Sequence, residues 1–297
     1  MKKGWKQITI GDLGQVVTGN TPPKKDPKNY GGEYPFIKPT DMNIGERHVI
    51  EWEENYSQKA FDRYHRSYIP PGATGVVTIG TVGEKMFQAD RYCFTNQSVN
   101  VVIPSDKYEE DFVYYLLKIS LPKVENANPG TASGRHHVSK TNFCAIKVKV
   151  PEDKITQQKI ASILSAYDDL IENNLKRIKL LEEKAQITFK LLFQKENDNW
   201  RSCNLGQIVG YDIGGGWGKE LEEQGYEKPA YVIRGTDIDD LPSGKIENVP
   251  LRWHKKSNLK SRKLKHGDIV FEVSGGSSTA GVAKSLLITE SLLGQFD

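Results

Sequence analysis

Residues 155–186, ITQQKIASILSAYDDLIENNLKRIKLLEEKAQ, keep one helical period without a proline or a glycine. Their apolar positions advance by alternating steps of four and three, which is the a/d pattern of a coiled coil. The helix-packing residues predicted from this seam are Ile160, Leu164, Tyr167, Ile171, Asn174, Ile178 and Leu181. A helix from about residue 156 to residue 195 would be roughly 60 Å long at about 1.5 Å per residue. The sequence therefore predicts a long, stiff rod.

Two interpretations of this rod stay open at the level of sequence. The first is a coiled-coil spacer, in which Asn174 on the apolar seam would cost stability but could fix the register of paired helices. The alternative is an ordinary amphipathic helix that lies on one globular domain. The length and the regular seam favour a spacer, and we expect two copies of the chain to pair through it or the helix to pack on the second domain.

The segments on either side of the rod resemble each other at a spacing of about 195 residues. Four matches keep their order: Trp5 with Trp200, DLGQVV from Asp12 with NLGQIV from Asn204, FIKPTDM from Phe36 with VIRGTDI from Val232, and IPPGATGVVTIG from Ile69 with LKHGDIVFEVSG from Leu264. This spacing is too long for a solenoid repeat and suits a duplicated domain.

Each copy reads as short strands separated by turn residues. The predicted strands are QVVTG, YPFIK, TGVVTIG and NQSVNVVIP in the first copy, and AYVIR and GDIVFEVSGG in the second. The predicted fold class is α+β: a globular mixed α/β domain at 1–150, a coiled-coil-type spacer helix at 151–198 and a second copy of the domain at 199–297. Because Asp297 maps near Val102, we expect the second copy to be incomplete.

Composition limits the classes of function. The chain has 297 residues and a formal net charge of +3, so any affinity for nucleic acid has to come from local clusters of cations. Cys93, Cys144 and Cys203 lie far apart and form no CxxC or Cys/His ligand spacing, so neither a disulfide framework nor a metal site is predicted. No run approaches the roughly 18 apolar residues of a membrane span, and we expect a cytoplasmic protein.

Several motifs together resemble a known family. LGQVVTGNTP with YPFIKPTDM, then IPPGA, NQSVNVVIP and VPEDKITQQKIASILSAYDDLIENNLKRIKLLEE, are similar to the specificity subunit of type I restriction-modification enzymes. The resemblance implies two target-recognition domains, each reading one half of a bipartite site in double-stranded DNA. It also implies modification (methyltransferase) subunits and a restriction (endonuclease/translocase) subunit as partners. S-adenosylmethionine and ATP would then bind to those partners, and this chain would need no cofactor.

A rigid separator suits such a function on physical grounds. Half-sites on one face of B-DNA lie about one helical turn, near 34 Å, apart. A flexible Gly/Ser linker would sample many separations and lose the register between two readers. The rod is therefore predicted to set the spacing between the half-sites and to offer a docking surface for partner subunits.

Reading DNA requires cations for phosphates and fork-shaped or amide side chains for base edges. The DNA-binding residues predicted in the first copy are Lys24, Lys25, Lys28, Lys38, Thr40, Arg63, Arg66, Arg135 and His136, and those in the second are Arg234, Lys255, Lys256 and Arg262. Arg135 is the preferred reader of a base edge. Lys38 and Thr40, matched by Arg234 and Thr236, form either a shared phosphate clamp or strand-end turn chemistry. For each loop the alternative is a solvated surface.

The sequence shows no catalytic motif. GGGWGKE from Gly214 lacks the spacing of a phosphate loop, and Lys219 is followed by Glu220 instead of Ser or Thr. Asp168 and Asp169 are explained as solvated positions of the rod. We therefore expect no enzymatic activity in this chain. The alternatives are a stand-alone DNA methyltransferase or nuclease, and a coiled-coil adaptor without DNA specificity.

Overall fold

The computed structural model describes residues 4–128, 136–194, 200–274 and 284–296. The chain divides into two compact units, a first unit at 1–195 and a second unit at 196–297. Both units mix helices and strands, so the predicted α+β class is confirmed, and a long helix follows the N-terminal domain as expected.

The first unit is built from three small sheets. Its strands are β1 (Trp5–Thr9), β2 (Gly14–Thr18), β3 (Tyr30–Ile37), β4 (Glu54–Tyr56), β5 (Thr74–Val77), β6 (Met86–Gln88), β7 (Phe94–Thr95), β8 (Val99–Pro104) and β9 (Lys147–Pro151). The sheet orders are β2-β8-β5-β6, β4-β3-β7 and β1-β9. All pairings are antiparallel except β3 with β7, which is parallel. Because β1 pairs with β9, the first and last strands close the domain just before the long helix.

In the described part of this unit the α-helices are α1 (Gln58–Tyr64), α2 (Glu110–Lys118), α3 (Leu121–Asn126), α4 (Lys140–Ala145) and α5 (Lys154–Phe193). Helix α2 buries every residue from Phe112 to Leu117 because it contacts β5, β6 and α5. A separate aromatic cluster joins β3, β4 and β7 through Phe36, Tyr56 and Phe94, each at most 1% exposed. The sheets therefore have firm internal support for the loops that join them.

Helix α5 spans 40 residues, Lys154–Phe193, which confirms the predicted rod to within two residues at each end. Asp153 caps its start by accepting a hydrogen bond from the backbone N–H of Thr156 at 2.7 Å. At about 1.5 Å per residue the helix is roughly 60 Å long. Its first turns pack on the domain, where Gln157 and Ala161 are 1% and 2% exposed. None of the described helices is long and apolar enough to cross a membrane.

The second unit contains the helices α6 (Leu205–Ile208), α7 (Lys256–Arg262) and α8 (Glu290–Leu293), and the strands β10 (Lys228–Tyr231), β11 (Leu251–His254), β12 (Ile269–Phe271) and β13 (Ser285–Leu287). Strand β10 pairs with β11 and β12 with β13, both antiparallel. Its core contains Ile238, Leu241, Val249, Leu286, Ile288 and Leu292. Within the described residues β12 pairs with β13 alone, whereas β5 of the first unit lies between β6 and β8.

The predicted internal repeat is visible in the backbone hydrogen bonds. Each hairpin begins after a glycine with positive φ, Gly72 at 81° and Gly267 at 89°. The N–H of Gly72 donates to the carbonyl of Ala89, and the N–H of Gly267 donates to that of Ile288, both at 2.8 Å. The hairpins then keep one register, since Thr74 faces Gln88 in β5–β6 and Ile269 faces Leu287 in β12–β13.

One capped turn also recurs. The N–H of Lys38 donates to Asp41 at 2.7 Å, and 196 positions later that of Arg234 donates to Asp237 at 2.8 Å. Both caps satisfy a donor that a short helix leaves without an internal partner. The two units therefore share a scaffold of turns and strand pairs as well as sequence motifs. The matched motifs DLGQVV and NLGQIV, in contrast, differ in structure, because the first leads into β2 and the second forms α6.

Candidate nucleic-acid interface

The loop before β3, residues 19–29, is held rigidly against the first unit and is here called the first loop. Tyr30 donates its hydroxyl proton to the carbonyl of Pro22 at 2.7 Å, and Tyr56 does the same to Asn20 at 2.5 Å. Lys59 on α1 pairs with Asp26 at 2.5 Å. Pro22, Pro23 and Pro27 further restrict the backbone. Lys24, Lys25 and Lys28 are all exposed on this anchored loop, so their positions are defined by the fold.

The other predicted cations of the first unit lie on exposed surface or outside the described residues. Arg63 lies in the last turn of α1, with its guanidinium 5.4 Å from the ring centroid of Tyr64. Arg66 lies in the following turn and is exposed. His136 is exposed and accepts a backbone hydrogen bond from Gly80 at 3.0 Å. Arg135, the preferred base reader, lies outside the described residues.

Lys38 and Arg234 occupy equivalent capped turns, and both are already paired with carboxylates. The ammonium group of Lys38 lies 2.6 Å from Glu53 and 3.2 Å from Glu54. Arg234 makes two contacts with Asp237, at 3.0 and 2.7 Å. The backbone N–H groups of Lys38 and Arg234 donate to Asp41 and Asp237 at 2.7 and 2.8 Å. The shared feature is thus strand-end turn chemistry, and phosphate contact by Lys38, Thr40 and Arg234 stays a prediction.

In the second unit the predicted cations lie along α7 and its start. Lys255 and Lys256 are exposed. The ammonium group of Lys255 lies 5.0 Å from the ring centroid of Tyr226. Arg262 donates from Nε to the carbonyl of Gly214 at 3.0 Å, so it holds a loop while remaining exposed. The structure therefore brings Lys255 and Arg262 to the same loop, residues 209–227, here called the second loop.

The predicted seam of α5 is largely uncovered. Ile160 packs partly against the core of the first unit. The other seam residues are exposed, with exposed fractions of 39% at Leu164, 67% at Tyr167, 54% at Ile171, 52% at Ile178 and 62% at Leu181. Asn174 is also exposed. The helix contacts its own domain through a neighbouring face, and the packing role of the seam stays a prediction.

That neighbouring face carries polar contacts which the sequence did not reveal. We call the group Arg47, His48, Tyr115, Asp168, Asp169 and Glu172 the polar clamp. Tyr115 donates its hydroxyl proton to Asp168 at 2.7 Å, and His48 hydrogen-bonds Glu172 at 2.7 Å. Asp168 and Asp169 are therefore not merely solvated, as the sequence suggested. They attach the helix to α2 and to the loop before β4.

Arg47 is the centre of the polar clamp and is only 6% exposed. It donates to Gln88 at 2.6 Å, pairs with Asp111 and lies 3.9 Å from Asp169. Burial works to lower the pKa of Arg47, but the hydrogen bond and charge of Asp111 outweigh it and hold that pKa above its ordinary value. For Tyr115, burial and then the hydrogen bond to Asp168 raise the pKa of the phenol. Arg47 is thus a permanent charge that is held by Asp111 on α2 and lies near Asp169 on α5.

A sequence signal for the clamp exists only on the helix side. Asp168, Asp169 and Glu172 follow one another within one helical turn, and clustered carboxylates beside an apolar seam indicate a cationic partner. Nothing in the sequence pairs them with Arg47 or Tyr115, since these partners are far away along the chain. Within the described ranges no group of three or more His, Cys, Asp or Glu side chains that could hold a metal ion occurs.

Comparisons with known proteins agree on one family. Residues 2–183 match the family model described as type I restriction modification DNA specificity domain. The chain is 31% identical over 194 residues to the type I restriction enzyme MjaIX specificity subunit of Methanocaldococcus jannaschii, which covers 64% of this chain and 44% of the relative. It is 28% identical over 193 residues to the HindI specificity subunit of Haemophilus influenzae, covering 64% and 41%. The chain thus spans less than half the length of these relatives.

Solved structures give weaker likenesses. An S subunit of a type I restriction-modification system from M. genitalium aligns with a TM-score of 0.49 at 20% identity, covering 65% of this chain and 46% of that chain. The HsdS subunit from Thermoanaerobacter tengcongensis aligns with a TM-score of 0.41 at 18% identity, covering 61% and 40%.

Proposed function

The chain belongs to the type I restriction modification DNA specificity family, and we propose that it recognises DNA sequence for a type I restriction-modification enzyme. The first unit and the second unit each read one half of a bipartite target in this proposal. In terms of the predicted segments, residues 1–150 and 199–297 are the readers and residues 151–198 are the spacer.

The observation that carries the proposal is one scaffold present twice, joined by an uninterrupted helix. The hairpin register and the capped turn at Lys38 of the first unit recur in the second unit, the turn at Arg234. Helix α5 has no proline or glycine over its 40 residues, so it is stiff on the scale of a helical turn of DNA. Two similar modules on a stiff rod suit a split target better than a continuous one.

The proposed partners follow from the family and from the exposed helix. Modification subunits, and a restriction subunit for cleavage, would dock on this chain and supply S-adenosylmethionine-dependent methylation and ATP-dependent cleavage. The chain itself would be non-catalytic, hold no cofactor and act in the cytoplasm, where its DNA lies. The apolar seam of α5 supports either a partner helix or self-pairing, since an exposed apolar stripe gains free energy when it is covered.

Selection from a randomised duplex pool tests the proposal. The full chain is incubated with the pool alone and together with its modification subunit, and bound duplexes are sequenced. We expect a motif of two short blocks separated by a fixed gap. Selection of no sequence under either condition contradicts DNA recognition and favours an adaptor. Methylation or cleavage by the purified chain with S-adenosylmethionine or Mg²⁺ alone contradicts the non-catalytic assignment.

A further inference from the structure

The first loop and the second loop occupy the same place in the two units. In the first unit Phe36 faces Glu54 across β3–β4. In the second, the N–H of Val232 donates to the carbonyl of Pro250 at 3.0 Å. Val232 and Pro250 lie 196 positions after Phe36 and Glu54, so the two pairs are equivalent. Each loop leads into the first strand of its hairpin. The strand positions that hold the loops can therefore be compared residue by residue, whereas the loops themselves, residues 19–29 and 209–227, differ in length.

Equivalent positions hold both loops by their backbone. The N–H of Ser57 donates to the carbonyl of Asn29 in the first loop at 2.9 Å. The N–H of Trp253, the position that corresponds to Ser57, donates to the carbonyl of Lys219 in the second loop, also at 2.9 Å. A side chain at Gly218 would place its Cβ 2.7 Å from the carbonyl oxygen of Trp253, so this anchor needs glycine.

Side chains at equivalent positions hold the loops as well. Tyr56 bonds the carbonyl of Asn20 in the first loop. Arg252, the position that corresponds to Tyr56, lies under the ring of Trp217 in the second loop, with its guanidinium carbon 4.4 Å from the ring centroid. A guanidinium over an indole face is attractive and limits the motion of the ring. Both loops are therefore fixed parts of their scaffolds.

The two loops differ in the chemistry that they expose. The first loop offers Lys24, Lys25 and Lys28 on a proline-stiffened backbone. The second loop offers Trp217, which is 48% exposed although it lies on Arg252. Its carboxylates Glu220 and Glu223 pair with Arg252 at 3.0 Å and with Lys219 at 3.1 Å. The charges of these two carboxylates are thus offset locally, whereas Asp212, Glu222 and Glu227 of the same loop are exposed. Lys255 and Lys256 stand exposed at the start of α7.

We infer that both loops contact DNA, the first through lysines on phosphates and the second through Trp217 as its central contact, and that Trp217 makes the target of the second unit differ from that of the first. The turns and strand pairs that the two units share cannot make them bind different DNA half-sites. The difference in DNA preference has to come from exposed, anchored segments whose residues differ between the units. A held indole ring offers apolar contact to sugars and to the thymine methyl group, and flanking lysines bind phosphates. This inference rests on the proposed function.

The test compares duplex selection by the full chain and its modification subunit for wild type, Trp217→Ala and the control Tyr211→Ala. Tyr211 is 70% exposed and lies in the same loop but before its anchored part. Trp217→Ala is expected to lower the preference within one half of the motif by about tenfold and to leave the other half unchanged. Tyr211→Ala is expected to leave both halves unchanged.

The outcomes separate this inference from the proposed function. If wild type selects no motif, the proposed function fails. If wild type selects a motif and Trp217→Ala weakens neither half, both halves equally, or no more than Tyr211→Ala does, the inference is overturned. Should Trp217→Ala not fold, photo-crosslinking decides: p-benzoylphenylalanine at position 217, but not at position 211, has to attach to bound duplex.

Discussion

The lysines of the first loop differ from Lys38 in what surrounds their ammonium groups. Lys24, Lys25 and Lys28 are exposed, and the structure pairs none of these ammonium groups with a carboxylate among the described residues. Burial works against the charge of Lys38, but the hydrogen bonds of Glu53 and Glu54 hold its pKa above its ordinary value. Lys38 would have to break its ion pairs with Glu53 and Glu54 before it could bind a phosphate. The lysines of the first loop can bind a phosphate without breaking an ion pair.

Replacing the three lysines of the first loop by alanine is therefore expected to weaken DNA binding for all sequences alike. Each lost phosphate contact should reduce the slope of log affinity against log salt by about 0.9, because fewer counterions are released. Fluorescence anisotropy with a labelled duplex over a salt series measures this slope. Lys38→Ala serves as the control, and an equal change of slope in both proteins would contradict the assignment.

Arg47 is expected to contribute to stability more than any exposed arginine of the first unit. Arg47→Met removes the ion pair with Asp111 and the hydrogen bond to Gln88. We expect the free energy of unfolding to fall by about 1–3 kcal/mol. The partly exposed Asp111 limits this loss, because water can solvate it once its partner is gone. Denaturant unfolding followed by circular dichroism measures the change.

Arg91→Met is the matched control for Arg47. Arg91 also pairs with a neighbouring carboxylate, Asp90, but their side chains are 49% and 37% exposed. Exposed pairs contribute little, so the loss should stay within about 1 kcal/mol. Equal losses in the two variants would show that burial of Arg47 adds nothing.

Residue roles were predictable from sequence only where the partner is near along the chain. The matched KPTD and RGTD segments left a phosphate clamp or strand-end turn chemistry open, and the caps at Asp41 and Asp237 are formed within three residues. Arg47 and Asp169 meet only after the domain has folded. Trp217 was set aside with its glycine-rich stretch because the motif lacked phosphate-loop spacing, and its stacking on Arg252 becomes visible only in three dimensions.

Among the elements, α5 presents two faces with different tasks. One face attaches to the first unit through Gln157, Ala161 and the polar clamp. The adjacent face carries the exposed seam. The covered face fits an ordinary amphipathic helix that lies on one domain. The uncovered seam is the part of the surface on which the spacer interpretation depends, and that role stays a prediction.

Self-pairing through the seam predicts that Ile171→Asp abolishes association. Wild type is expected to exceed the monomer mass in light scattering, because pairing covers apolar side chains such as Ile171, which is 54% exposed. A buried carboxylate at this position would remain unpaired and oppose pairing. The thermal stability of the first unit should not change, since the side chain lies outside its core.

Leu180→Asp provides the control for the seam. Leu180 is 64% exposed but points away from Ile178 and Leu181, since neighbouring residues on a helix are about 100° apart. This variant should associate like wild type. A wild-type monomer at all concentrations, or dissociation of both variants alike, rules out pairing through the seam.

Element prediction succeeded where local chemistry decides and failed where distant partners decide. The limits of α5 followed from Asp153 and from the absence of proline and glycine. The short strands β4, β6 and β9 did not stand out, because each is defined by a partner elsewhere in the chain. The pairing register of β5 with β6 recurs in β12–β13, in agreement with the repeat seen in the sequence.

At the scale of the whole molecule, the two units have separate cores of unequal size. Leu117 lies in the large core of the first unit, and Leu241 in the small core of the second; both are 0% exposed. A smaller core buries less apolar surface and supplies less free energy of folding. The second unit should therefore be the less stable of the two.

Calorimetry of the full chain is expected to show two transitions. Leu241→Ala should lower only the first transition, and Leu117→Ala only the second, each by the equivalent of about 2–5 kcal/mol. The two variants control for each other. A single transition that both variants shift by the same amount would show that the molecule unfolds as one cooperative body.

Strand β12 has one edge that no other strand of the described residues covers. Its partner in the described residues is β13 alone, while Ile269 and Phe271 are 65% and 55% exposed. An open edge of this kind accepts a further strand, since its N–H and C=O groups remain available for a ladder. A separately supplied peptide in an extended conformation should therefore pair with β12 in the second unit.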